Sequence, residues 1–380
     1  MVAIKYVKRK IGQSYIVWFN NSNLYTQLEE PAWFVFQKVM QRYKTETIAS
    51  ICSYRYDLDY NECLQFTIDI RNNINQMNQT REDSGESSIY PIEVIKKEFT
   101  SYSIHKYRFA KNTIEFRVEK ERFESFLHPL IGYLETGEIG VKHSLFELFE
   151  YQNKIVFRLN GEIKGLWEYE EAHRLIGFIY MCLINEIYDK TENFWLMTVH
   201  AAALTNGRKT ILIPAESGSG KTTMAAMLQK KGYKLISDDF VPIDKDSRAW
   251  PFPIAMSVKE GAMNLISSIY PDLAESPLTK TNAKKTVRYL NPTLDYDIST
   301  MAFPIHEVIS IKYDPSVEFE FGEADRLKSI KLMLDQSWIL PNSGNAEIFL
   351  ELVSKWSFYQ LTYSNNTKAL DKIAQLFNND

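Results

Sequence analysis

Cysteine is scarce in this chain, with three among 380 residues. Cys52, Cys63 and Cys182 are far apart and show none of the spacings typical of metal-binding cysteines. Their odd number also argues against a disulfide framework. All three lie in apolar stretches with helical periodicity, where a buried thiol is the expected state. The sequence therefore argues against a disulfide-stabilised secreted domain and against a cysteine-ligated metal domain.

Long apolar runs and an excess of positive charge are missing as well. No segment has the length and uniform apolarity of a membrane span, and residues 1–19 lack the apolar run and cleavage site of a signal peptide. The formal net charge of −4 argues against broad binding to nucleic acid or to a membrane surface. We therefore expect a cytoplasmic protein with neither nucleic acid nor membrane as a partner.

A glycine-containing turn lies between an apolar strand and an amphipathic helix. Residues 215–222, Ala-Glu-Ser-Gly-Ser-Gly-Lys-Thr, fit the Walker A pattern with alanine in its first position. The strand is predicted at residues 211–214 and the helix at residues 222–231. Glycines let backbone amides converge on phosphate oxygens, and the helix N-terminus adds the positive end of its dipole. The alternative is a strand-to-helix turn that binds no ligand.

The residues of this turn match the chemistry of a nucleotide site. Lys221 would reach the β- and γ-phosphates of ATP, and the Thr222 hydroxyl would ligate Mg²⁺. ATP and Mg²⁺ are therefore the expected cofactors. The candidate nucleotide-binding residues are Ser217, Gly218, Ser219, Gly220, Lys221, Thr222 and Thr223.

Two adjacent aspartates follow at the end of the next predicted strand. Gly232 has the position of a helix C-cap, and residues 233–237 have the composition of a short buried strand that ends at Asp238 and Asp239. A strand–helix–strand crossover is parallel, so both strands end at the same edge of the sheet. The aspartates are therefore expected beside the glycine turn, near Mg²⁺ and a phosphoryl acceptor. The alternative is a pair that only caps a turn.

The order of histidine, glycine turn and aspartate pair resembles the HPr kinase/phosphorylase family and its relatives with a phosphoenolpyruvate-carboxykinase-like nucleotide fold. In that family a histidine precedes the loop by one strand-turn-strand, and His200 has this place here. The resemblance implies that Asp238 is the general base and that His200 lies next to it. It also implies that Asp239 and Thr222 hold Mg²⁺. Without the resemblance, His200 would be interpreted as a core histidine.

The resemblance covers residues 195–330, and the chain departs from the family within this range. HPr kinases carry a glutamate where this chain has Thr223, and their glycine-rich signature for the protein substrate has no clear counterpart after residue 250. The chain is more similar to divergent HPr-kinase-related proteins found with ribosomally made peptides, including those that phosphorylate a lasso-peptide precursor. HPr itself is therefore not the expected acceptor.

The first eighty residues predict a separate small domain. Alternating runs at residues 4–7 and 14–20 predict a β-hairpin around Gly12. Three helices are predicted to follow at residues 31–42, 46–54 and 61–77, with Thr45 and Asp59 as N-caps. This order is similar to winged-helix PqqD-like domains, which hold the leader of a precursor peptide as an added edge strand. The exposed edge is expected at residues 14–20 or beside the third helix.

Two alternatives remain for this N-terminal region: a generic winged-helix packing domain and a DNA-binding domain. The third predicted helix has one arginine and no lysine, which is too little charge for a phosphate footprint.

The rest of the chain divides by composition into a linker and two larger regions. Residues 79–90 are polar and show no periodicity. Residues 81–95 are therefore assigned to a linker, residues 96–194 to an α+β middle region, and residues 195–380 to the kinase core. In the middle region, strands are predicted at residues 102–109, 113–118 and 154–160, and helices at residues 122–134 and 169–188. No catalytic motif occurs in the middle region.

Basic residues gather after the aspartate pair, and phosphoryl transfer needs cations on the equatorial oxygens. Arg288, on a predicted strand or turn, is the first choice for this role, and Lys259 is the second. The alternative is a run of charges that faces water.

The expected architecture is a multidomain α/β protein, with a winged-helix-like N-terminal domain, an α+β middle region and a P-loop-containing α/β kinase core. The expected function is Mg-ATP-dependent transfer of the γ-phosphate to a Ser or Thr hydroxyl of a peptide or protein substrate. The proposed catalytic residues are Asp238, His200, Lys221 and Arg288. The alternatives are a small-molecule hydroxyl kinase, a non-catalytic nucleotide-gated peptide-binding protein and, more remotely, a carboxykinase-type lyase. The resemblance leaves a homo-oligomer open.

Overall fold

The described part of the chain is a mixed α/β protein with several sheets and twelve α-helices. The structure, a computed structural model, describes residues 4–79, 100–280, 285–294, 298 and 301–378. The predicted linker at residues 81–95 lies outside the described residues. No α-helix in these ranges combines the length and apolarity that crossing a membrane requires.

The described residues form two compact units. One contains residues 4–79 together with Ile339–Lys355, and the other contains the remainder. The first unit thus includes a segment that the sequence analysis assigned to the C-terminal core. The predicted domain boundaries themselves stay a prediction.

The first unit begins with a three-stranded antiparallel sheet. Strands β1 (Tyr6–Ile11) and β2 (Ser14–Phe19) form a hairpin, and Gly12 at φ +60° supplies its left-handed turn. Strand β3 (Leu24–Leu28), which the sequence analysis did not predict, pairs with the other side of β2. The strand at residues 14–20 is therefore central, and the expectation that it offers a free edge is wrong.

Three helices follow and share an apolar core with this sheet. They are α1 (Glu30–Met40), α2 (Thr45–Tyr56) and α3 (Tyr60–Met77). Asp59 caps α3 as predicted, because its carboxylate accepts a hydrogen bond of 2.8 Å from the Asn61 backbone N–H. Thr45 is not an N-cap: it is the first residue inside α2, and Lys44 precedes it without a side-chain cap.

A helix from late in the chain completes the first unit. Ser343–Lys355 lies beside β1, and its Phe349 ring meets the Tyr25 ring of β3 edge-on at 5.6 Å. The first unit is thus built from two separate stretches of sequence.

The second unit begins with a five-stranded sheet in which the strands follow chain order. They are β4 (Ser103–Phe109), β5 (Asn112–Val118), β6 (His143–Tyr151), β7 (Lys154–Leu159) and β8 (Glu162–Trp167). Only the β5–β6 pair is parallel. The sequence analysis predicted β4, β5 and β7 and missed the other two strands.

The helix predicted at residues 122–134 is broken into short pieces. These are α4 (Glu121–Glu124), α5 (His128–Ile131) and a 3-10 turn at Gly132–Leu134. The break has a local cause, since Pro129 has no N–H to continue the helix and instead occupies the first turn of α5. The next helix, α6 (Ala172–Tyr188), is long and packs its apolar face into the core of this region.

The remaining strands are, in chain order, β9 (Trp195–Val199), β10 (Ala201–Thr205), β11 (Thr210–Pro214), β12 (Lys234–Ser237), β13 (Val241–Asp244), β14 (Arg248–Ala249), β15 (Met256–Lys259), β16 (Thr279–Lys280), β17 (Thr286–Leu290), β18 (Phe303–Pro304), β19 (Glu307–Tyr313), β20 (Phe319–Glu323), β21 (Ser337–Ile339) and β22 (Ser357–Tyr363). The remaining helices are α7 (Lys221–Lys230), α8 (Glu260–Ile269), α9 (Asp272–Glu275), α10 (Arg326–Asp335), α11 (Ser343–Lys355, in the first unit) and α12 (Asn366–Asn378).

A six-stranded sheet in the order β12-β10-β11-β19-β22-β20 carries the glycine turn. Strand β10 is antiparallel to both β11 and β12, so these two strands run in the same direction with β10 between them. Every residue of β10 and β11 is buried, because α7 and other elements cover the sheet. The ends of β11 and β12 therefore meet at one edge, as the sequence analysis expected.

Two smaller sheets complete this region. One has the order β18-β14-β13-β9-β21, and the other has the order β15-β17-β16.

Candidate functional site

The turn between β11 and α7 is shaped by two glycines with left-handed backbones. Gly218 and Gly220 both have φ +94°, a conformation that L side chains rarely adopt. Space is also limited at Gly220, where a Cβ atom would lie 2.9 Å from the Tyr363 hydroxyl oxygen. The Tyr313 backbone N–H donates a 2.9 Å hydrogen bond to the Ser219 carbonyl and fixes the turn to β19.

Lys221 and Thr222, the first residues of α7, turn toward the aspartate pair. The Lys221 ammonium donates a 2.6 Å hydrogen bond to the Asp238 backbone carbonyl and lies 3.8 Å from the Asp239 carboxylate. The Thr222 hydroxyl donates a 2.8 Å hydrogen bond to Asp238 Oδ2. The two halves of the motif are therefore in direct contact.

The sheet topology explains why His200 reaches the same place. The chain crosses from one sheet to another at His200, between β9 and β10, and again at Asp238–Asp239, between β12 and β13. Strands β9 and β13 pair with Val199 opposite Val241, while β10 and β12 pair with Ala203 opposite Ser237. The two crossings are therefore adjacent.

His200 contacts Asp239, whereas the resemblance implied that it would lie next to Asp238. Its Nε2 atom lies 3.3 Å from Asp239 Oδ1, and about half of each side chain is exposed. Burial lowers the pKa of His200, while the Asp239 charge opposes this change. The neutral imidazole and the carboxylate form an accessible pair.

Asp238, by contrast, is 3 % exposed. Burial raises the pKa of its carboxyl to about 6, against the opposing effects of the Lys221 charge and the Thr222 hydrogen bond. Among the described residues, its Oδ1 atom has no hydrogen-bond partner, and neither has the buried Ser219 hydroxyl. Unsatisfied buried polar atoms are costly, and a ligand is one way to satisfy them. A carboxylate beside a threonine hydroxyl is also a donor set that suits Mg²⁺.

Arg288 was predicted to contact the transferred phosphate, but its side chain does not face the glycine turn. It lies on β17, and its guanidinium donates hydrogen bonds to the backbone carbonyls of Leu273, Ala274 and Ser276, where α9 ends. Five donors in a fixed fork suit this capping of free carbonyls. The prediction that Arg288 contacts the phosphates is therefore not supported by its position.

Two lysines lie at the turn instead. Lys259, the second choice of the sequence analysis, donates a 3.0 Å hydrogen bond to the Ser217 hydroxyl, and Lys285 lies 3.5 Å from the same oxygen. Burial lowers the pKa of Lys259, and the charges of Lys285 and Lys221 lower it further. Three ammonium groups, those of Lys221, Lys259 and Lys285, thus converge on one loop. The sequence analysis named Lys221 and Lys259, but the approach of Lys285 depends on how β17 packs and has no local sequence signal.

The other candidate residues lie on the loop or in the first turn of the helix. Ser217 and Gly218 are exposed, whereas Thr223 is half-buried. The Tyr313 and Tyr363 contacts with the turn come from β19 and β22, and no sequence signal pointed to them.

Comparisons with known proteins add little to this geometry. No family model and no curated protein matches the chain. Among solved structures, the Hpr(Ser) kinase/phosphatase from Coxiella burnetii matches 47 % of this chain and 96 % of its own, with 12 % identity and a TM-score of 0.20.

Proposed function

We propose that the chain is a Mg-ATP-dependent kinase that transfers the γ-phosphate to a hydroxyl group of a peptide or protein. The observation that carries the proposal is the convergence of the glycine turn, Lys221 and the aspartate pair. A turn that bound no ligand would need neither a buried lysine nor a buried aspartate with an unsatisfied oxygen.

The triphosphate would lie on the turn between β11 and α7. Its backbone N–H groups and the N-terminus of α7 would bind phosphate oxygens, and Lys221 would balance their charge. Lys259 and Lys285 would supply the further cations that the transferred phosphoryl group requires. They take the role first predicted for Arg288.

The two aspartates would divide the remaining tasks. Because Thr222 is hydrogen-bonded to Asp238, these two residues are the pair best placed to hold Mg²⁺. When bound, Mg²⁺ would reduce the negative charge of the β- and γ-phosphates. This assignment exchanges the roles that the resemblance implied for Asp238 and Asp239.

Asp239 would then be the general base, since its carboxylate is accessible and lies beside His200. It would accept the proton of the acceptor hydroxyl as the bond from that oxygen to the γ-phosphorus forms. The bond from the γ-phosphorus to the bridging oxygen would break, and ADP would leave. His200 would orient the carboxylate through their 3.3 Å contact.

The first unit would hold the peptide. Among the described strands, β3 pairs with β2 alone, and this leaves one edge of β3 without a strand partner. An extended peptide could add to that edge by backbone hydrogen bonds. A Ser or Thr acceptor, a ribosomally made precursor peptide and a cytoplasmic location all belong to this proposal. A small-molecule hydroxyl kinase is the second candidate.

The proposal is tested with a precursor peptide that carries a Ser or Thr acceptor. The purified chain, Mg-ATP and the peptide should yield a peptide that carries one phosphoryl group, detected by mass spectrometry. The Lys221→Ala variant should yield none. Tight Mg-ATP binding without transfer to any hydroxyl would instead favour a nucleotide-gated binding protein.

A further inference from the structure

A second cluster of titratable side chains lies at β4, one of the two edge strands of the five-stranded sheet. His105, His128 and Glu135 each offer one ligand atom, and these three atoms lie within 4.8 Å of one another. His105 Nδ1 is 2.7 Å from a Glu135 carboxylate oxygen, and the two imidazole rings are stacked with centroids 4.1 Å apart. The proposed kinase chemistry uses none of these residues.

Three separate elements bring these residues together. His105 lies on β4 and His128 begins α5, while Glu135 follows the 3-10 turn and is held to β4 by a β-bridge to Tyr107. Gly132 leaves room for the imidazole, since a Cβ atom there would lie 3.2 Å from His128 Cε1. The helix break at Pro129 thus places His128 against the strand.

In each imidazole ring, one nitrogen already has a hydrogen-bond partner of the kind that orients a metal-bound histidine. His105 Nε2 lies 3.1 Å from a Glu124 carboxylate oxygen, and His128 Nδ1 lies 2.9 Å from the hydroxyl of the buried Tyr107. A metal-ligating histidine usually donates its other N–H to such a carboxylate or oxygen. This arrangement leaves His128 Nε2 for an ion, and the same ion would replace the proton shared between His105 Nδ1 and the Glu135 carboxylate.

We propose that His105, His128 and Glu135 bind a zinc ion, with a fourth position open to water. Two imidazoles and one carboxylate are a known zinc donor set, whereas Mg²⁺ and Ca²⁺ prefer oxygen ligands. Bond lengths of about 2.0–2.2 Å in a tetrahedron place the ligand atoms about 3.4 Å apart. Side-chain rotations must therefore adjust these separations and turn the two stacked imidazole rings apart, so that a nitrogen of each ring faces the ion.

The ion would tie the segment of short helices to β4. The same segment is hydrogen-bonded to the residues that precede β15. The Ala255 backbone N–H donates a 2.7 Å hydrogen bond to the Leu130 carbonyl. The Tyr133 hydroxyl donates a 2.6 Å hydrogen bond to the Pro253 carbonyl. Zinc would thus stabilise the fold at this edge, and the proposal does not depend on the kinase assignment.

The test is zinc binding by the full chain without nucleotide, measured by competition with a chromophoric chelator. The wild type should bind one equivalent, and Co²⁺ in its place should give the visible bands of a tetrahedral site. His105→Ala, His128→Ala and Glu135→Gln should each weaken binding by at least about 100-fold. Tyr107→Phe should weaken it by about 10-fold, because the imidazole loses its orienting partner.

His173→Ala is the matched control, since this exposed histidine lies on α6 outside the cluster, and it should bind as the wild type does. Zinc should raise the melting temperature of the wild type and of this control, but not that of the three ligand variants. If one of the variants of the three proposed zinc ligands does not fold, the Co²⁺ spectra of the wild type and of Tyr107→Phe test the proposal instead. A wild type without tetrahedral bands, or equal zinc affinity in the ligand variants and the control, would overturn the proposal.

Discussion

At the scale of single residues, the surroundings of Asp238 disfavour the ionised form of its carboxyl group. The carboxylate is buried, and only Oδ2 has a hydrogen-bond partner among the described residues. The metal-free protein therefore keeps an unfavourable anion at neutral pH. Such a cost is typical of binding sites, where the ligand supplies the missing interaction.

We expect Asp238→Asn to stabilise the protein without metal or nucleotide at pH 8. The folded-state pKa of about 6 lies above the ordinary value of 3.8. The folded state therefore binds the proton more tightly, and stability is lost as the pH rises from about 4 through 6. The gain for the variant should be on the order of 3 kcal/mol at pH 8 and should shrink toward pH 4. Urea unfolding at several pH values measures it, and a gain that is constant with pH would contradict this account.

The glycine turn allows a second residue-scale prediction. Gly220→Ala should destabilise the protein more than Gly218→Ala, because both have φ +94° but only Gly220 faces the Tyr363 hydroxyl. The left-handed backbone conformation should cost each alanine variant about 1–2 kcal/mol of stability. In Gly220→Ala, the close contact of the new Cβ atom with the Tyr363 hydroxyl adds to this cost. Removing the hydroxyl by Tyr363→Phe in the Gly220→Ala background should recover the difference. Equal unfolding free energies for the two alanine variants would show that Tyr363 does not restrict the turn.

At the scale of elements, β17 and β15 carry cations with different tasks. Arg288 on β17 binds the carbonyls that end α9, while Lys259 at the end of β15 meets the loop residue Ser217. The sequence did not show which of Arg288 and Lys259 reaches the loop, because both are cations and their positions depend on which strand faces the loop.

Lys259→Ala should lower the rate of phosphoryl transfer by on the order of 10², because it removes one cation from the transferring phosphate. Arg288→Ala should lower the melting temperature instead, with Mg-ATP affinity and transfer rate close to wild type. Steady-state kinetics and thermal unfolding of both variants measure these effects. If Arg288→Ala removed transfer without loss of stability, the first assignment from sequence would be restored.

Local patterns predicted the elements that local chemistry controls. Asp59 caps α3 through its own neighbours, and the strand, glycine turn and helix around Lys221 were expected from a few adjacent residues. Strands β3, β6 and β8 were missed although each forms a hairpin with a neighbouring strand, because their residues do not alternate cleanly between apolar and polar. In β6, for example, the charged residue Glu147 is buried and forms a 2.6 Å ion pair with Arg158 of β7. The prediction of one helix at residues 122–134 was wrong because Pro129, which has no backbone N–H, begins a new short helix within this range.

At the scale of the whole molecule, the first unit is discontinuous in sequence. Ser343–Lys355 lies beside β1, so deletion of residues 1–80 would also remove the partner of this helix. Peptide delivery is therefore better tested by changing the peptide than by truncating the protein.

A precursor peptide without its leader should have a KM at least about tenfold higher than the full-length precursor, with kcat nearly unchanged. Under the proposed peptide delivery, the bound leader would hold the acceptor at an effective concentration of roughly millimolar. Free leader should inhibit phosphorylation of the full-length precursor and leave that of a short acceptor unaffected. Equal KM values for both peptides would contradict peptide delivery and favour a small-molecule acceptor.

The most direct test of the central claim is single-turnover phosphoryl transfer, with Mg-ATP affinity determined in the same titration, for Asp239→Asn beside Asp238→Asn. The account predicts that Asp239→Asn binds Mg-ATP nearly as the wild type does and transfers about 10² to 10⁴ times more slowly. Asp238→Asn should lose most of the Mg²⁺-dependent ATP affinity. Transfer by Asp239→Asn at the wild-type rate would contradict the account, and the opposite pattern would return the role of base to Asp238.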